Sequence, residues 1–188
     1  MKPDSSIIYF TVSSGTGYGI ILSLLIFLTD NNIEINSSIK IITACSSLFL
    51  ITSGLISSTL HLGHPERAWR ALSQWKSSWL SREGISAIIT YLPISLFYIF
   101  WIFTNYINIS FLVLIIASIF SLITIYCTAK IYSSIKAVPA WHNPLVPLIY
   151  ILNSYVLGSL LTHTLLHTYG IKSNILSNSI IFFSLIAL

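Results

Sequence analysis

The sequence contains one conspicuous polar stretch, Leu60 to Gly84, with a histidine and a carboxylate near its two ends, His61 and Glu83. The stretch reads LHLGHPERAWRALSQWKSSWLSREG. It holds six of the chain's charged residues, of which nine are basic and five are acidic in total. An imidazole and a carboxylate can exchange hydrogen bonds and protons with a bound molecule. We therefore predict that the chemistry of the protein takes place here, with His61 and Glu83 as its catalytic candidates.

The chemistry that suits this pair is the oxidation of a lipid-soluble quinol. A quinol needs hydrogen-bond partners for its hydroxyl groups and acceptors for two protons as its electrons leave, and these residue types supply both. The alternative is structural. His61 would then cap the preceding helix, and Glu83 would pair with Arg67, Arg70 or Arg82. The spacing alone leaves both interpretations open.

The elements that must position this stretch are long apolar segments. The mean hydropathy is +0.85, and only 7% of the residues are charged, too few for the surface of a soluble domain. A membrane-spanning helix needs about 20 mostly apolar residues. Five segments meet this length, and a sixth of 14 residues ends at Leu188: 7–28, 39–60, 85–104, 109–129, 145–167 and 175–188. We predict an all-α polytopic transmembrane helix bundle, one domain over residues 1–188, with five full spans plus a partial sixth, the chain ending inside a helix.

Two polar loops, 61–84 and 130–144, emerge on the same side of the membrane when the spans are counted. That side carries seven basic residues and the other carries two: Lys2, Arg67, Arg70, Lys76, Arg82, Lys130 and Lys136 against Lys40 and Lys172. The positive-inside rule places the loops in the cytoplasm. Because both loops are aromatic and basic, we predict a surface on which a partner docks, with four candidate contacts: Trp69, Arg70, Trp79 and Trp141.

Small residues indicate how the spans pack. Ser13, Ser14, Gly15, Gly17 and Gly19 lie close together in the first span, and such a cluster lets a neighbouring helix approach closely. The third and fourth spans are joined by only residues 105–108, which predicts that they are antiparallel neighbours.

Two runs of sequence carry a resemblance to a known family. The run SSTLHLGHPERAWRALSQWKSSWLSREG resembles a signature of the membrane anchor subunit of dimethyl sulfoxide reductase, and AKIYSSIKAVPAWHNPLVPL is similar to a later motif of that family. The resemblance covers nearly the whole chain. It implies a bacterial cytoplasmic (inner) membrane protein that oxidises menaquinol and passes electrons to an iron–sulfur subunit. That subunit relays them to a molybdopterin catalytic subunit.

The resemblance also implies roles for three residues. The family's histidine in the HLG motif and its glutamate shortly before the third span are associated with quinol binding, and they match His61 and Glu83. Arg67 matches the basic position after Gly-x-Pro, and we assign it to orienting the quinol. Two features depart from the family. Its members usually have eight spans, and its quinol site usually lies toward the periplasm, opposite to the side that the positive-inside rule indicates.

Three alternatives remain at this level. In a b-type cytochrome anchor, His163 and His167 would be the candidate haem ligands, but at positions i and i+4 they share one helix face and cannot be opposed ligands of one haem. In a transporter, Asn153, Ser154 and Gly158 would line a pathway, although no inverted repeat is visible. In the third alternative, the protein is a passive anchor without a quinol site.

The cysteines and histidines suggest no permanently bound group. Cys45 and Cys127 stand alone inside predicted spans, without the CxxC spacing of iron–sulfur or zinc sites, so small packing residues are the better interpretation. We predict no haem, no iron–sulfur cluster and no metal in this protein. Menaquinol is expected as an exchangeable substrate.

Overall fold

The computed structural model describes residues 5–29, 35–60, 68–104 and 106–187. Within these ranges the chain is helical and contains no strand. In order, the helices are α1 (Ser5–Phe27), α2 (Ser37–Leu60), α3 (Ala68–Ala71), α4 (Trp79–Phe103), α5 (Ile107–Ser133), α6 (Val146–Thr168) and α7 (Asn174–Ala187), with a 3-10 turn at Leu72–Gln74. Helices α1, α2, α4, α5 and α6 are long and apolar enough to cross a membrane, and α7 has 14 residues. The predicted fold, five full spans plus a partial sixth, is confirmed.

Helix α1 lies at the centre of the bundle and packs against α2, α5 and α6. The line of contact between α1 and α6, which we call the seam, is formed by residues spaced four apart on each helix. Residues at this spacing lie on one face of a helix. A Cβ atom on Gly19 would overlap the Ser154 carbonyl, and one on Gly158 would overlap the backbone of Gly19. The hydroxyls of Ser23 and Thr162 continue the seam at 2.7 Å. The small residues of the first span therefore permit close helix packing, as predicted.

The other side of α1 packs against α2 in the same way. A Cβ atom on Gly17 would lie 2.9 Å from the Ser47 carbonyl oxygen, and one on Gly54 would lie 2.9 Å from the Ser14 amide nitrogen. The Ser13 hydroxyl donates a hydrogen bond to the Leu50 carbonyl at 2.8 Å. Helix α1 is thus held between α2 and α6 by contacts that approach its backbone.

Helices α4 and α5 are antiparallel neighbours, as their short connection predicts. Their buried interface includes a hydrogen bond between the Thr90 and Thr124 hydroxyls at 3.0 Å. Helix α4 also makes polar contacts with α2. The atom pairs are Ser47 Oγ and Tyr98 Oη at 2.7 Å, Thr52 Oγ1 and Tyr91 Oη at 2.8 Å, and Lys40 Nζ and the Trp101 carbonyl at 2.9 Å.

The boundary of the first polar loop differs from the prediction. Helix α4 begins at Trp79, six residues before the predicted start of the third span. Ser78 caps it, since its extended backbone lets the side chain accept a hydrogen bond from the Ser81 amide. The predicted start of the span at residue 85 is wrong as a helix boundary, because it rests on apolar length alone. The helix simply continues past its apolar part. Likewise, α5 continues to Ser133, which shortens the second loop.

Candidate functional site

Glu83 is the fifth residue of α4 and is buried, with 4% of its surface exposed. Its Oε1 atom accepts no hydrogen bond from the residues that the structure describes. A buried carboxylate without a partner is costly, because desolvation penalises the charge and the oxygen has lost its water. Such a group is therefore a candidate for binding a further molecule.

The arginines that the structure describes near Glu83 are engaged elsewhere. Arg82 points back over the preceding loop, where it donates hydrogen bonds to the carbonyls of Trp75 and Lys76 at 2.9 and 2.7 Å. Its guanidinium also lies 4.3 Å from the centre of the Trp79 ring. Arg70 lies over Trp69, 5.5 Å from the ring centre. Neither is therefore placed to neutralise Glu83 in the way that the structural alternative required.

The Glu83 carboxylate interacts electrostatically with residues of two other helices. Tyr18 of α1 and both Tyr132 and Cys127 of α5 lie within electrostatic range of its carboxylate. Tyr18 is 2% exposed, and among the described residues its Oη atom has no hydrogen-bond partner either. Two buried oxygen atoms without a partner, on α1 and α4, therefore lie within electrostatic range of each other.

An aromatic cluster surrounds Tyr132 at the loop end of α5. Tyr132 stacks on Tyr150, with ring centres 5.5 Å apart, and meets the edge of Trp141 at the same distance. The His142 ring nitrogen Nδ1 lies 2.9 Å from the Ser133 carbonyl oxygen. The second loop is therefore fixed across the end of α5, beside Tyr132. Flat aromatic faces next to a buried carboxylate suit a flat, hydroxyl-bearing molecule.

Comparison with known proteins identifies the family. Over residues 1–188 the chain matches the family described as DMSO reductase anchor subunit (DmsC). The chain belongs to this family. The resemblance predicted from the two sequence motifs is therefore confirmed. Family membership and the apolar helices together identify the anchor protein as a polytopic membrane protein.

Two relatives of the anchor protein are similar over most of its length. It is 30% identical over 165 residues to a subunit of the sulfite dehydrogenase of Allochromatium vinosum, covering 77% of this chain and 49% of that protein. It is 28% identical over 167 residues to a component of the anaerobic dimethyl sulfoxide reductase of Escherichia coli, covering 86% of this chain and 57% of that protein. The anchor protein thus spans about half the length of these relatives. No solved structure matches it.

The predicted docking residues of the anchor protein occupy one end of the bundle, which we call the basic end and define by Arg70, Lys76, Arg82, Lys130 and Lys136. Trp69 is 67% exposed and Trp141 is 41% exposed. Trp79 is partly buried. The centre of its ring lies 4.3 Å from the Arg82 guanidinium and 5.9 Å from Lys130 Nζ, and the ring packs edge-on against Tyr126 with centres 6.1 Å apart. Trp79 therefore joins α4 to α5, whereas Trp69 and Trp141 face outward.

Two predicted site residues of the anchor protein, His61 and Arg67, lie outside the described residues. Their juxtaposition with Glu83 stays a prediction. Sequence reasoning missed Tyr18 and Tyr132, which the fold places within electrostatic range of Glu83. Tyr18 had a weak signal, because it stands between two glycines of the small-residue cluster in the first span.

The residues considered for haem or metal binding have other environments in the anchor protein. His163 Nε2 lies 3.1 Å from the Ser177 hydroxyl, and the rings of His163 and His167 lie side by side with centres 6.3 Å apart. They share one face of α6, as their spacing predicts. Within the described ranges, no three His, Cys, Asp or Glu residues group so as to hold a metal ion. Cys45 and Cys127 are free thiols.

The residues considered for a transporter pathway do not line a channel. Ser154 and Gly158 are buried, but they form the seam with α1 and leave no channel between the two helices there. Asn153 is exposed and does not face inward as that alternative required. The reason is helical geometry, since consecutive residues point about 100° apart and only one of the two can face α1.

Proposed function

We propose that this protein is the membrane anchor of a dimethyl sulfoxide reductase type complex in the bacterial cytoplasmic membrane, and that it oxidises menaquinol beside Glu83. The observation that carries the proposal is the buried Glu83 carboxylate with an unpartnered oxygen, at the end of the bundle where both polar loops emerge. Family membership supports the anchor role, and one relative is named as part of a dimethyl sulfoxide reductase.

In this proposal Glu83 accepts a hydrogen bond from one quinol hydroxyl and then takes its proton. Loss of two electrons and two protons converts the quinol to the quinone, and His61 is the proposed acceptor of the second proton. Arg67 would orient the quinol. The stacked rings of Tyr132 and Tyr150, with Trp141 at their edge, offer an apolar wall against the quinol ring.

The electrons must then leave over a short distance. We propose that an iron–sulfur subunit docks on the basic end and relays them to a molybdopterin catalytic subunit. Its contact surface would include the outward-facing Trp69 and Trp141, and Arg70 and Lys136 would supply positive charge for an acidic partner. The electrons would then leave at the end of the bundle where Glu83 binds the quinol.

The docking surface leads to a prediction about two exposed tryptophans. Replacing both Trp69 and Trp141 with alanine should weaken binding of the iron–sulfur subunit by about tenfold or more, because exposed aromatic anchors contribute strongly to interfaces. The fraction of that subunit captured with a tagged anchor protein from solubilised membranes measures the effect. The control is Phe103→Ala, which removes a 79% exposed ring at the opposite end. Equal capture by the double variant and the control would contradict the docking surface.

A second candidate is the reverse reaction at the same site. One relative is named as a subunit of sulfite dehydrogenase, and a complex that oxidises its soluble substrate would deliver electrons to a quinone. The same groups serve both directions, since a carboxylate that accepts a proton from a quinol can return one to a reduced quinone. The two directions are distinguished by assaying the isolated complex with quinol and with quinone.

The proposed function is tested by titrating the purified protein with a short-chain naphthoquinone, following quenching of its tryptophan fluorescence. We expect one saturable site per molecule. The absorbance spectrum of the same sample should lack a haem band, as the proposal of an exchangeable quinol without bound haem requires. Absence of saturable binding would favour a passive anchor, and a haem band belonging to the protein would favour the cytochrome alternative.

A further inference from the structure

We propose that Tyr18 is a second quinol-binding residue, with its hydroxyl directed at the same molecule that Glu83 binds. This inference rests on the proposed quinol site and adds a residue from α1, the central helix, to it. Glu83 alone would hold one hydroxyl group from one side. A phenol on a neighbouring helix would complete the contact, because it can donate a hydrogen bond to the oxygen from which Glu83 takes a proton.

The hydrogen-bonding state of Tyr18 sets it apart from the other buried tyrosines that the structure describes. The Tyr98 hydroxyl lies 2.7 Å from Ser47 Oγ, and the Tyr155 hydroxyl lies 2.5 Å from Ser179 Oγ. Tyr18 is as deeply buried, yet its Oη atom has no partner within the described ranges. Buried tyrosine hydroxyls normally find a partner. Both Tyr18 Oη and Glu83 Oε1 lack a partner, and the two residues lie within electrostatic range of each other, which indicates a place for a hydrogen-bonding molecule.

The packing of α1 holds Tyr18 in this position. Gly17 contacts Ile51 of α2 closely, and Gly19 contacts the backbone of Ser154 and Gly158 in α6. These contacts fix both the rotation and the height of the helix. Tyr18, between the two glycines, lies on the third face of α1, within electrostatic range of Glu83 of α4. The position of the Tyr18 hydroxyl is therefore determined by the close contacts that α1 makes with α2 and α6.

The test is Tyr18→Phe, which removes one oxygen atom and keeps the ring. We expect the dissociation constant of the short-chain naphthoquinone to rise about tenfold, the effect of losing one hydrogen bond. The matched control is Tyr98→Phe, whose hydroxyl bonds to Ser47, and it should bind the quinone as the unaltered protein does. The thermal midpoint should fall for Tyr98→Phe and stay level or rise for Tyr18→Phe, since only Tyr98 loses a protein partner.

A second measurement covers the case in which Tyr18→Phe does not fold. Infrared difference spectra of the unaltered protein should show a shift of a tyrosine C–O band when the naphthoquinone binds, because one phenol gains a partner. An unchanged band overturns the inference. So does unchanged quinone affinity in Tyr18→Phe, or a fall in its thermal midpoint equal to that of Tyr98→Phe.

The failure of this inference is distinct from failure of the proposed function. If the unaltered protein binds the quinone, Glu83→Gln loses quinol-dependent turnover and Tyr18→Phe binds the quinone with unchanged affinity, then the quinol site stands and Tyr18 is not part of it. If the unaltered protein binds no quinone at all, both the proposed function and the role of Tyr18 are wrong.

Discussion

Replacing Glu83 with glutamine should reduce quinol-dependent turnover of the assembled complex by about 100-fold or more, the usual contribution of a positioned proton acceptor. The amide has nearly the same size as the carboxyl group but cannot take a proton from the quinol. Because a neutral amide is less costly to bury than a carboxylate, the complex should assemble and unfold at the same temperature or a higher one. Initial rates with a soluble naphthoquinol and thermal unfolding of the same preparation measure both effects.

Two controls separate the loss of chemistry from general damage. An artificial reductant that donates electrons directly to the soluble subunits should give full activity in Glu83→Gln, since it bypasses the anchor protein. Lys172→Gln removes an exposed charge at the opposite end of the bundle and should leave quinol turnover close to its original rate. Full quinol turnover in Glu83→Gln would rule out Glu83 as the proton acceptor.

Replacing Gly158 with alanine should strongly destabilise the helix bundle. A Cβ atom at this position would overlap the backbone of Gly19 and Ile20, and a backbone cannot move aside as a side chain can. Helices α1 and α6 would have to separate, which costs about 1–3 kcal/mol for a single overpacked methyl group and more where no relaxation is possible. Thermal unfolding in detergent, followed by circular dichroism, measures the change.

The matched control for this prediction is Gly84→Ala. Its Cβ atom would meet only Leu72 Cδ2, the flexible end of a side chain, at 2.9 Å. Alanine also favours the helix by up to about 1 kcal/mol relative to glycine. Gly84→Ala should therefore be neutral or slightly stabilising. If the two variants unfold at the same temperature, the seam between α1 and α6 does not hold the bundle together in the way described.

The helix boundaries show which structural features local sequence patterns can predict and which they cannot. Apolar length identified the spans, because each must cover the thickness of a bilayer. It misplaced the start of α4, since hydropathy marks where the membrane ends and not where hydrogen bonding along the helix ends. The cap at Ser78 and the contacts of Arg82 with the carbonyls of Trp75 and Lys76 determine that start. A periodic pattern in the sequence does not predict these contacts.

By itself, the sequence determined the class of protein, the spans, the family and the choice of Glu83 as a candidate. These follow from composition, segment length and motifs, which are local properties of the sequence. Only the tertiary structure decided that α1 is the central helix, that Tyr18 and Tyr132 lie within electrostatic range of Glu83, and that Arg82 turns away from it. The physical reason is that both the lipid-facing and the buried sides of a span are apolar. Periodicity therefore cannot tell which face of a helix meets which neighbour.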